Sequence, residues 1–545
     1  MKEKQTEWLP HLTEAVTAKA EGPLLDSYAV ALEGWRRGLT LRWHVKDSER
    51  FREMYTWYVD EPGQLFSLSS GEKTHYFFRT RGDLVANEAV KIGKDKEWTK
   101  EVLKKSEVRV PEGERFSSND TDQMIREYVS TIGYPVVLKP VDNSFGRGVV
   151  PGIYTKEELD YALIYVRSEL KIKDVIVEQH IPGNEYRIYV VDDQVAAAIN
   201  RIPANVIGDG IHSIDTLIKK KNNGRNTNPR LISCPIHVDY ETEVYLNKSN
   251  RSLDSVPEEN ERVFLTDKSN ISSGGDPIDV LDELPEEIKA LAIDTVQAIP
   301  GLVHGAVDIM IHSEKPIEEA GFVLEINPTA QIGSLLYPLQ GKARDVPAQI
   351  IDYYFPETIE ATKSKPLLYF DIEEALVPLA NKAAEVSEIT HLPLEDWFFK
   401  KYILYRKMDG MEFFQKVKEK ALEKSLVGRV YKSGFSRIEV VVGGTDREEI
   451  DRFRDELYEL DIGAAIENIE VQPWNQPIQF GFEIEGERKN VLNELDALED
   501  QFIKLSTQQR KLEKHYRNML TSNSWKLTEP FRKIGGSLKS IIKGR

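Results

Sequence analysis

Cysteine is nearly absent from this chain: Cys234 stands alone among 545 residues. No intramolecular disulfide is possible, and the scarcity suits a reducing compartment. Beside Pro235 the thiol reads as a small apolar filler. Long apolar runs are also missing. No stretch approaches the roughly 20 residues that a membrane-spanning helix needs. The opening Met1-Lys-Glu-Lys-Gln-Thr-Glu7 lacks the apolar segment of a signal peptide. A cytoplasmic location is the expectation. Nor is there a basic excess: 72 Lys and Arg stand against 90 Asp and Glu, a formal charge of −18, which argues against a general nucleic-acid partner. No Walker A sequence occurs. What is present is enough chain for several domains with filled cores.

Two stretches carry chemistry. Tyr134-Pro-Val-Val-Leu-Lys-Pro-Val-Asp-Asn-Ser-Phe-Gly-Arg-Gly148 reads as a buried strand ending in Lys139, then a glycine-bearing loop. Phe322-Val-Leu-Glu-Ile-Asn-Pro328 reads as a strand with Glu325 and Asn327 two residues apart, hence on one face. A lysine and backbone N–H groups suit a polyphosphate. Oxygen ligands on one strand face suit Mg²⁺, a hard ion that shares its ligands with phosphate. Together they predict an ATP site.

The order of further blocks extends the pattern: Val177-Glu-Gln-His-Ile-Pro-Gly-Asn-Glu-Tyr-Arg187, Asn200-Arg-Ile-Pro-Ala-Asn-Val-Ile-Gly-Asp-Gly210, Ser269-Asn-Ile-Ser-Ser-Gly-Gly275 and Gly305-Ala-Val-Asp308. With them, residues 96–357 resemble an ATP-grasp domain of the branch found in cyanophycin synthetase and bifunctional glutathione synthetase. The resemblance implies ATP and Mg²⁺, two ions, as cofactors. It places Lys139 and Lys96 at the phosphates under a closing loop with Ser144, Phe145, Gly146 and Gly148. Glu178, Gln179, His180 and Ile181 fall at the adenine edge, His180 through its backbone, and Glu185 at the ribose. Asp308, Glu325 and Asn327 become the metal ligands. Arg187 and Arg201, with Lys139, meet the reacting carboxylate and the transferred phosphoryl group, a task suited to a planar, permanently charged guanidinium; a structural ion pair is the rival reading for each arginine. Ser273, Gly274, Gly275 and Arg344 are the candidates for the acceptor pocket. Two departures touch specificity. The related ligases follow Glu-x-Asn with Pro-Gly and later a histidine, where this chain has Ala330-Gln331 and Leu335. No counterpart of the Mur-ligase-like domain of cyanophycin synthetase is expected within these 545 residues.

Outside that span, residues 1–95 form an N-terminal region, read either as part of the acceptor site or as a structural cap. Residues 358–400 read as a connector. Residues 401–486 follow a βαββαβ order, with a strand at Ile438–Val442 and an amphipathic helix over Asp446–Leu460. They resemble an acylphosphatase, a ferredoxin-like fold. The positions where that family needs an arginine and an asparagine hold Phe414 and Lys432 here. An aromatic ring cannot grip phosphate bidentately, so this domain is expected to be catalytically dead. Over 487–521 the apolar positions Val491, Leu495, Leu498, Phe502, Leu505, Leu512, Tyr516 and Met519, with Gln509, follow a heptad seam. It predicts a coiled coil between subunits or a helix packed on the protein's own body. The tail, 522–545, carries Lys526, Arg532, Lys533, Lys539, Lys543 and Arg545 against Glu529. It reads as a peripheral contact to an anionic membrane surface or as a solvated tail.

The fold class expected is α/β (α+β): an ATP-grasp fold, a ferredoxin-like acylphosphatase-like domain and a C-terminal coiled-coil helix. The expected function is an ATP-dependent carboxylate–amine ligase working through an acyl phosphate on small-molecule or polymer carboxylate and amine substrates, set in cell-envelope polymer synthesis. A kinase-like phosphotransferase and a non-catalytic ATP-binding scaffold are the alternatives.

Overall fold

The computed structural model describes residues 6–141, 148–364, 367–405, 411–434, 437–460 and 466–485. Ser144, Phe145, Gly146, the heptad segment 487–521 and the basic tail 522–545 lie outside the described residues. The chain forms two compact units. The first comprises residues up to Trp397 together with Asn475–Phe480, and the second comprises Phe398–Trp474 with the chain from Gly481 onward.

In the first unit, helix α1 (Pro23–Arg36) starts with proline at its first turn, where no N–H is needed. From Leu25 onward it is buried on all sides, as a helix enclosed by its own domain must be. Tyr28 and Trp35 set edge-to-face against Phe370, with centroids 5.1 and 5.4 Å apart. Beside α1 lies an antiparallel sheet in the order Val386–Glu388, Thr40–His44, Leu65–Ser69, Thr74–Phe78, Arg81–Gly82. Two boundaries therefore move. The stretch read as a connector, 358–400, contributes an edge strand to the N-terminal sheet, and its Leu368–Tyr369 pairs in parallel with Ile478–Gln479. Strands of two or three residues have no periodicity to detect, and their partners lie far off in sequence. The region 1–95 also ends too late for its own core: Val85, Ala89, Val90 and Ile92 are packed in the core of the central sheet.

Two further sheets carry the candidate site. Helix α2 (Lys96–Lys105) is capped by Asp95, whose side chain accepts from the N–H groups of Glu97 and Trp98, each at 3.0 Å. A small antiparallel sheet contains β1 (Gly113–Phe116), β2 (Val136–Pro140), β3 (Val150–Ile153) and β4 (Val175–Gln179), in the order β1-β4-β2-β3. The central sheet contains β5 (Gly183–Val191), β6 (Gln194–Ile202), β7 (Asp276–Asp279), β8 (His304–His312) and β9 (Gly321–Asn327), in the order β7-β6-β5-β8-β9, all antiparallel. Helix Glu286–Ala298 covers it with Ile288, Leu291, Ala292 and Val296. Between β6 and β7 an excursion packs a core of its own from Val206, Ile214, Leu217, Ile218, Leu246 and Val263. Helix α3 (Val346–Tyr354), capped by Asp345, follows the central sheet.

The second unit runs β10 (Phe398–Tyr405), α4 (Met411–Glu423), β11 (Val427–Gly434), β12 (Arg437–Gly444), α5 (Arg447–Glu459), β13 (Asn468–Pro473) and β14 (Phe482–Glu485). Its sheet has the order β13-β10-β12-β11-β14, with β14 parallel to β11. The apolar face of α5, Ile450, Phe453 and Leu457, meets Tyr402, Leu404, Val440 and Val442 in one core. The expected span 401–486 is interrupted: Asn475–Phe480 belongs to the first unit.

Candidate active site

The central sheet builds its charged cluster by register. Arg187 on β5 lies opposite Asp308 on β8, and Asp308 lies opposite Glu325 on β9. Directly opposed residues share a face, so three strands lay a cation and two acids in one row. Asn327 falls two residues beyond Glu325 on the same face, and its Nδ2 donates to Glu325 Oε1 at 3.3 Å. That contact does not consume the amide oxygen. Arg187 grips Asp308 bidentately, Nε to Oδ1 and Nη2 to Oδ2, both 2.8 Å. Arg201, on β6, reaches Asp308 Oδ2 at 2.8 Å and Glu185 Oε1 at 2.8 Å. It also donates to the carbonyl of Ser269 at 3.1 Å and to Asn270 Oδ1 at 3.3 Å.

The electrostatics of this cluster are strong because it is sheltered: the Asp308 side chain is 2% exposed and that of Arg201 8%. Burial works against charge on Asp308, but Arg187 and Arg201 outweigh it and hold the carboxyl below the usual range. Glu185 goes the other way. Burial pushes it up, Arg201 opposes, and the neighbouring Asp308 and Glu325 add to the rise. Three carboxylates thus face two guanidiniums, leaving acid in excess. An all-oxygen set with surplus negative charge and one amide oxygen fits Mg²⁺. Asp308, Glu325 and Asn327 are the residues that would hold it.

A second cluster forms on the small sheet. Lys139 lies one residue before the end of β2, and Glu178 lies on β4, opposite Val137. The Glu178 side chain is 5% exposed and is clasped by two lysines, Lys139 and Lys100. Burial raises its proton affinity, yet the two ammonium groups prevail and keep it below the ordinary glutamate value. Two lysines poised at one carboxylate fit a polyanion, because an incoming phosphate can take over their charge.

Sequence reasoning singled out Lys96 and not Lys100. Both lie on α2, four positions apart. The Asp95 cap puts Lys96 in the first turn, while Lys100, one turn deeper, is buried with Thr99 and Leu103 and faces Glu178. The signal that could have found it is the apolar spacing of α2, which buries Lys100 with Leu103. Glu178, the candidate for the adenine edge, lies against both lysines.

The other sequence candidates are dispersed. Ile181 is buried and Gln179 exposed. The N–H groups of Gln179 and His180 donate to the carbonyls of Glu112 and Pro135, at 2.7 and 3.0 Å. Gly148 has φ +76 and packs near Pro140. Ser273 ends a short 3₁₀ turn. Gly274, at φ +95, has no room for a side chain, since a Cβ would stand 2.6 Å from Ile236. Gly275 accepts at its carbonyl from Arg225 at 3.1 Å. Arg344 is not an open acceptor-pocket residue. It grips Asp279 bidentately at 2.9 and 2.7 Å and meets Asp282 at 3.0 Å, so its fork is spent on fixing the chain after β9 to β7.

A family model described as a RimK-like ATP-grasp domain matches residues 93–208, a span that includes Lys100, Lys139, Glu178, Glu185, Arg187 and Arg201. The glutathione biosynthesis bifunctional protein GshAB of Mannheimia succiniciproducens is 31% identical over 313 residues, covering 55% of this chain and 40% of that protein. Cyanophycin synthetase of Crocosphaera subtropica is 33% identical over 276 residues, covering 49% of this chain and 31% of that one. The crystal structure of a bifunctional glutathione synthetase from Pasteurella multocida aligns with 56% of this chain and 41% of its own, at 27% identity and a TM-score of 0.42. The chain spans less than half the length of these relatives. Residues 93–208 are similar to a RimK-like ATP-grasp domain.

Proposed function

We propose that this chain is an ATP-dependent, ADP-forming carboxylate–amine ligase. The observation that carries the reading is the row Arg187–Asp308–Glu325 with Asn327 and Arg201 on one sheet, together with the two lysines at Glu178 on its neighbour. In this reading a substrate carboxylate oxygen attacks the γ-phosphorus of ATP and ADP leaves. The amine then attacks the acyl phosphate, the carbon–oxygen bond to phosphate breaks, and the amine's proton passes to solvent. Phosphoryl transfer is mostly positioning and charge compensation, and the residues are of that kind. Lys100 and Lys139 neutralise the phosphates. Arg187 and Arg201 orient the carboxylate and the phosphoryl oxygens. Mg²⁺, two ions, would be held by Asp308, Glu325 and Asn327 and would supply charge neutralisation at the phosphates when bound. The names of the relatives, a glutathione-forming protein and a cyanophycin synthetase, support a product joined by an amide bond.

The N-terminal lobe is the candidate acceptor domain. The second unit is proposed to be an acylphosphatase-like module without hydrolytic activity. Phe414, where that family needs an arginine, is buried in its core, and Lys432 lies exposed on β11. Homo-oligomerisation through 487–521, membrane contact through 522–545 and service in cell-envelope polymer synthesis complete the proposal.

The test is ATP consumption with Mg²⁺ against a panel of amino acids, short peptides, amino sugars and uronic acids, scoring ADP and condensation products by mass spectrometry. ADP release that needs a carboxylate and an amine together, and is lost in Glu325→Ala, supports the ligase. A phosphorylated hydroxyl product without amine dependence would replace it with the phosphotransferase reading. ATP binding without turnover on any pair would favour the scaffold.

A further inference from the structure

A second charged cluster lies in the first unit and shares no residue with the nucleotide site. His11, Glu33 and Asp345 bring one imidazole nitrogen and two carboxylates together, all ligand atoms within 4.8 Å of one another. Among the described residues it is the one group of three His, Cys, Asp or Glu side chains with that geometry. Each comes from a different element. His11 lies in the N-terminal segment, Glu33 inside α1 where it is 2% exposed, and Asp345 at the cap of α3.

The contact between His11 and Asp345 has an unusual form. His11 Nε2 stands 3.1 Å from Asp345 Oδ2. Yet this buried nitrogen makes no hydrogen bond of acceptable geometry. The imidazole nitrogen therefore sits beside two carboxylates, its distances to their ligand atoms all within 4.8 Å, with no hydrogen bond of its own. Ligand atoms bound at about 2.0–2.2 Å to a tetrahedral ion stand roughly 3.4 Å apart, close to the observed separation. The outer contacts are those of an oriented ligand set. Asp345 Oδ1 accepts from Ala348 N at 3.1 Å. Glu33 Oε1 accepts from Arg37 Nε at 2.7 Å. The backbone carbonyl of His11 accepts from Arg36 Nη2 at 3.0 Å.

We propose that His11, Glu33 and Asp345 form a binding site for a borderline divalent metal ion, Zn²⁺ in the first instance, with water as a fourth ligand. The imidazole selects against Mg²⁺ and Ca²⁺, which take oxygen ligands. The ion fastens the N-terminal segment to α1 and α3. That segment already runs along the chain that follows the Glu325–Asn327 strand. Thr6–Glu7 pairs with Gly341–Lys342, Trp8 sets its ring 5.4 Å from that of Tyr337, and Tyr337 donates to the carbonyl of Leu12 at 2.9 Å.

The test uses the full chain, stripped with a chelator and dialysed into buffer with millimolar Mg²⁺. Zn²⁺ is titrated by calorimetry and bound metal is counted by mass spectrometry. One equivalent of Zn²⁺ is expected, with affinity falling about 100-fold or more in His11→Gln and in Asp345→Asn, and unchanged in Glu325→Gln. Asn still caps a helix, so Asp345→Asn removes the ligand charge without removing the cap. On the unaltered protein, one equivalent of Co²⁺ should give the visible absorption of a low-coordinate nitrogen–oxygen site. No stoichiometric Zn²⁺ on the wild-type chain overturns the proposal. So does Zn²⁺ binding that survives His11→Gln or disappears in Glu325→Gln.

Discussion

Lys96 and Lys100 show how far a sequence can be read at the scale of one residue. Glu325 and Asn327 could be found because a period of two puts both on one face, and no packing can change that. The lysines could not be separated in the same way, because residues four apart on a helix share a face. Only the packing of α2 decides which one is buried at Glu178. The distinction is measurable. Lys100→Met and Lys139→Met should each weaken ATP binding about tenfold or more, the value of a charge-assisted contact, while Lys96→Met should change it less than either. Calorimetric titration of each folded variant with ATP checks this, and a larger loss in Lys96→Met would return that residue to the phosphates. Asp26 gives a second residue-scale prediction. Its Oδ1 accepts from the N–H groups of Ile332 and Gly333 at 2.8 and 3.1 Å. Burial raises its pKa to about 6 against the pull of Arg230. A folded-state value above the unfolded one means the contribution to stability is intact below pH about 4 and lost as pH rises to about 6. Asp26→Asn keeps the acceptor and removes that loss. It should be more stable than wild type at pH 7 by up to roughly 3 kcal/mol, with the difference vanishing near pH 4. Urea unfolding at both pH values decides, and a less stable variant at pH 7 would mean that Arg230 and Arg79 outweigh burial.

Among elements, the legible ones are those with long periodic stretches. The strand at Arg437–Gly444 and the helix at Arg447–Glu459 stand where alternation and three-four spacing put them. The strands Val386–Glu388 and Leu368–Tyr369 were hidden, since two or three residues carry no period and the pairing partners are remote. The span labelled connector was therefore invisible as structure. Strand β5 has its own constraint. At Gly183, φ is +153 and a Cβ would stand 1.9 Å from the carbonyl oxygen of Ile311 on β8. The close approach sets the register that delivers Glu185 and Arg187, two and four residues on. Gly183→Ala must part the strands or rotate the peptide, at a cost of roughly 1–3 kcal/mol. It should also weaken ATP binding, through the displaced row, more than its stability loss alone would. Chemical denaturation and nucleotide titration of the one variant test both halves; unchanged stability would show that the pairing tolerates a side chain there.

For the molecule as a whole, the sequence suggested a string of consecutive domains, and the chain is not arranged that way. It leaves the first unit at Trp397, builds most of the second, and returns for Asn475–Phe480. Ile478, 2% exposed, pairs with Leu368, and Phe480 sets its ring 5.6 Å from Trp35. A chain ending at Trp397 loses both. From apolar burial alone it should be less stable in its ATP-grasp unit by on the order of 3 kcal/mol, seen as a lower melting temperature for the transition that ATP shifts. An unchanged transition would show that the returning strand is dispensable. Among the described residues, no helix is long and apolar enough to cross a membrane.

The pairing of Thr6 with Gly341 and of Leu368 with Ile478 also fixes an order of events during synthesis. Domains ordinarily fold as they emerge, the N-terminal one first. Here the earliest strand waits for a partner made more than half a chain later, and the first unit is not closed until the ribosome has released residue 480. Most of the second unit is exposed to solvent by then. The first unit is thus finished only after most of the second has been made, and any nascent chain stalled before that point presents an open Trp35 and Leu368 surface to chaperones.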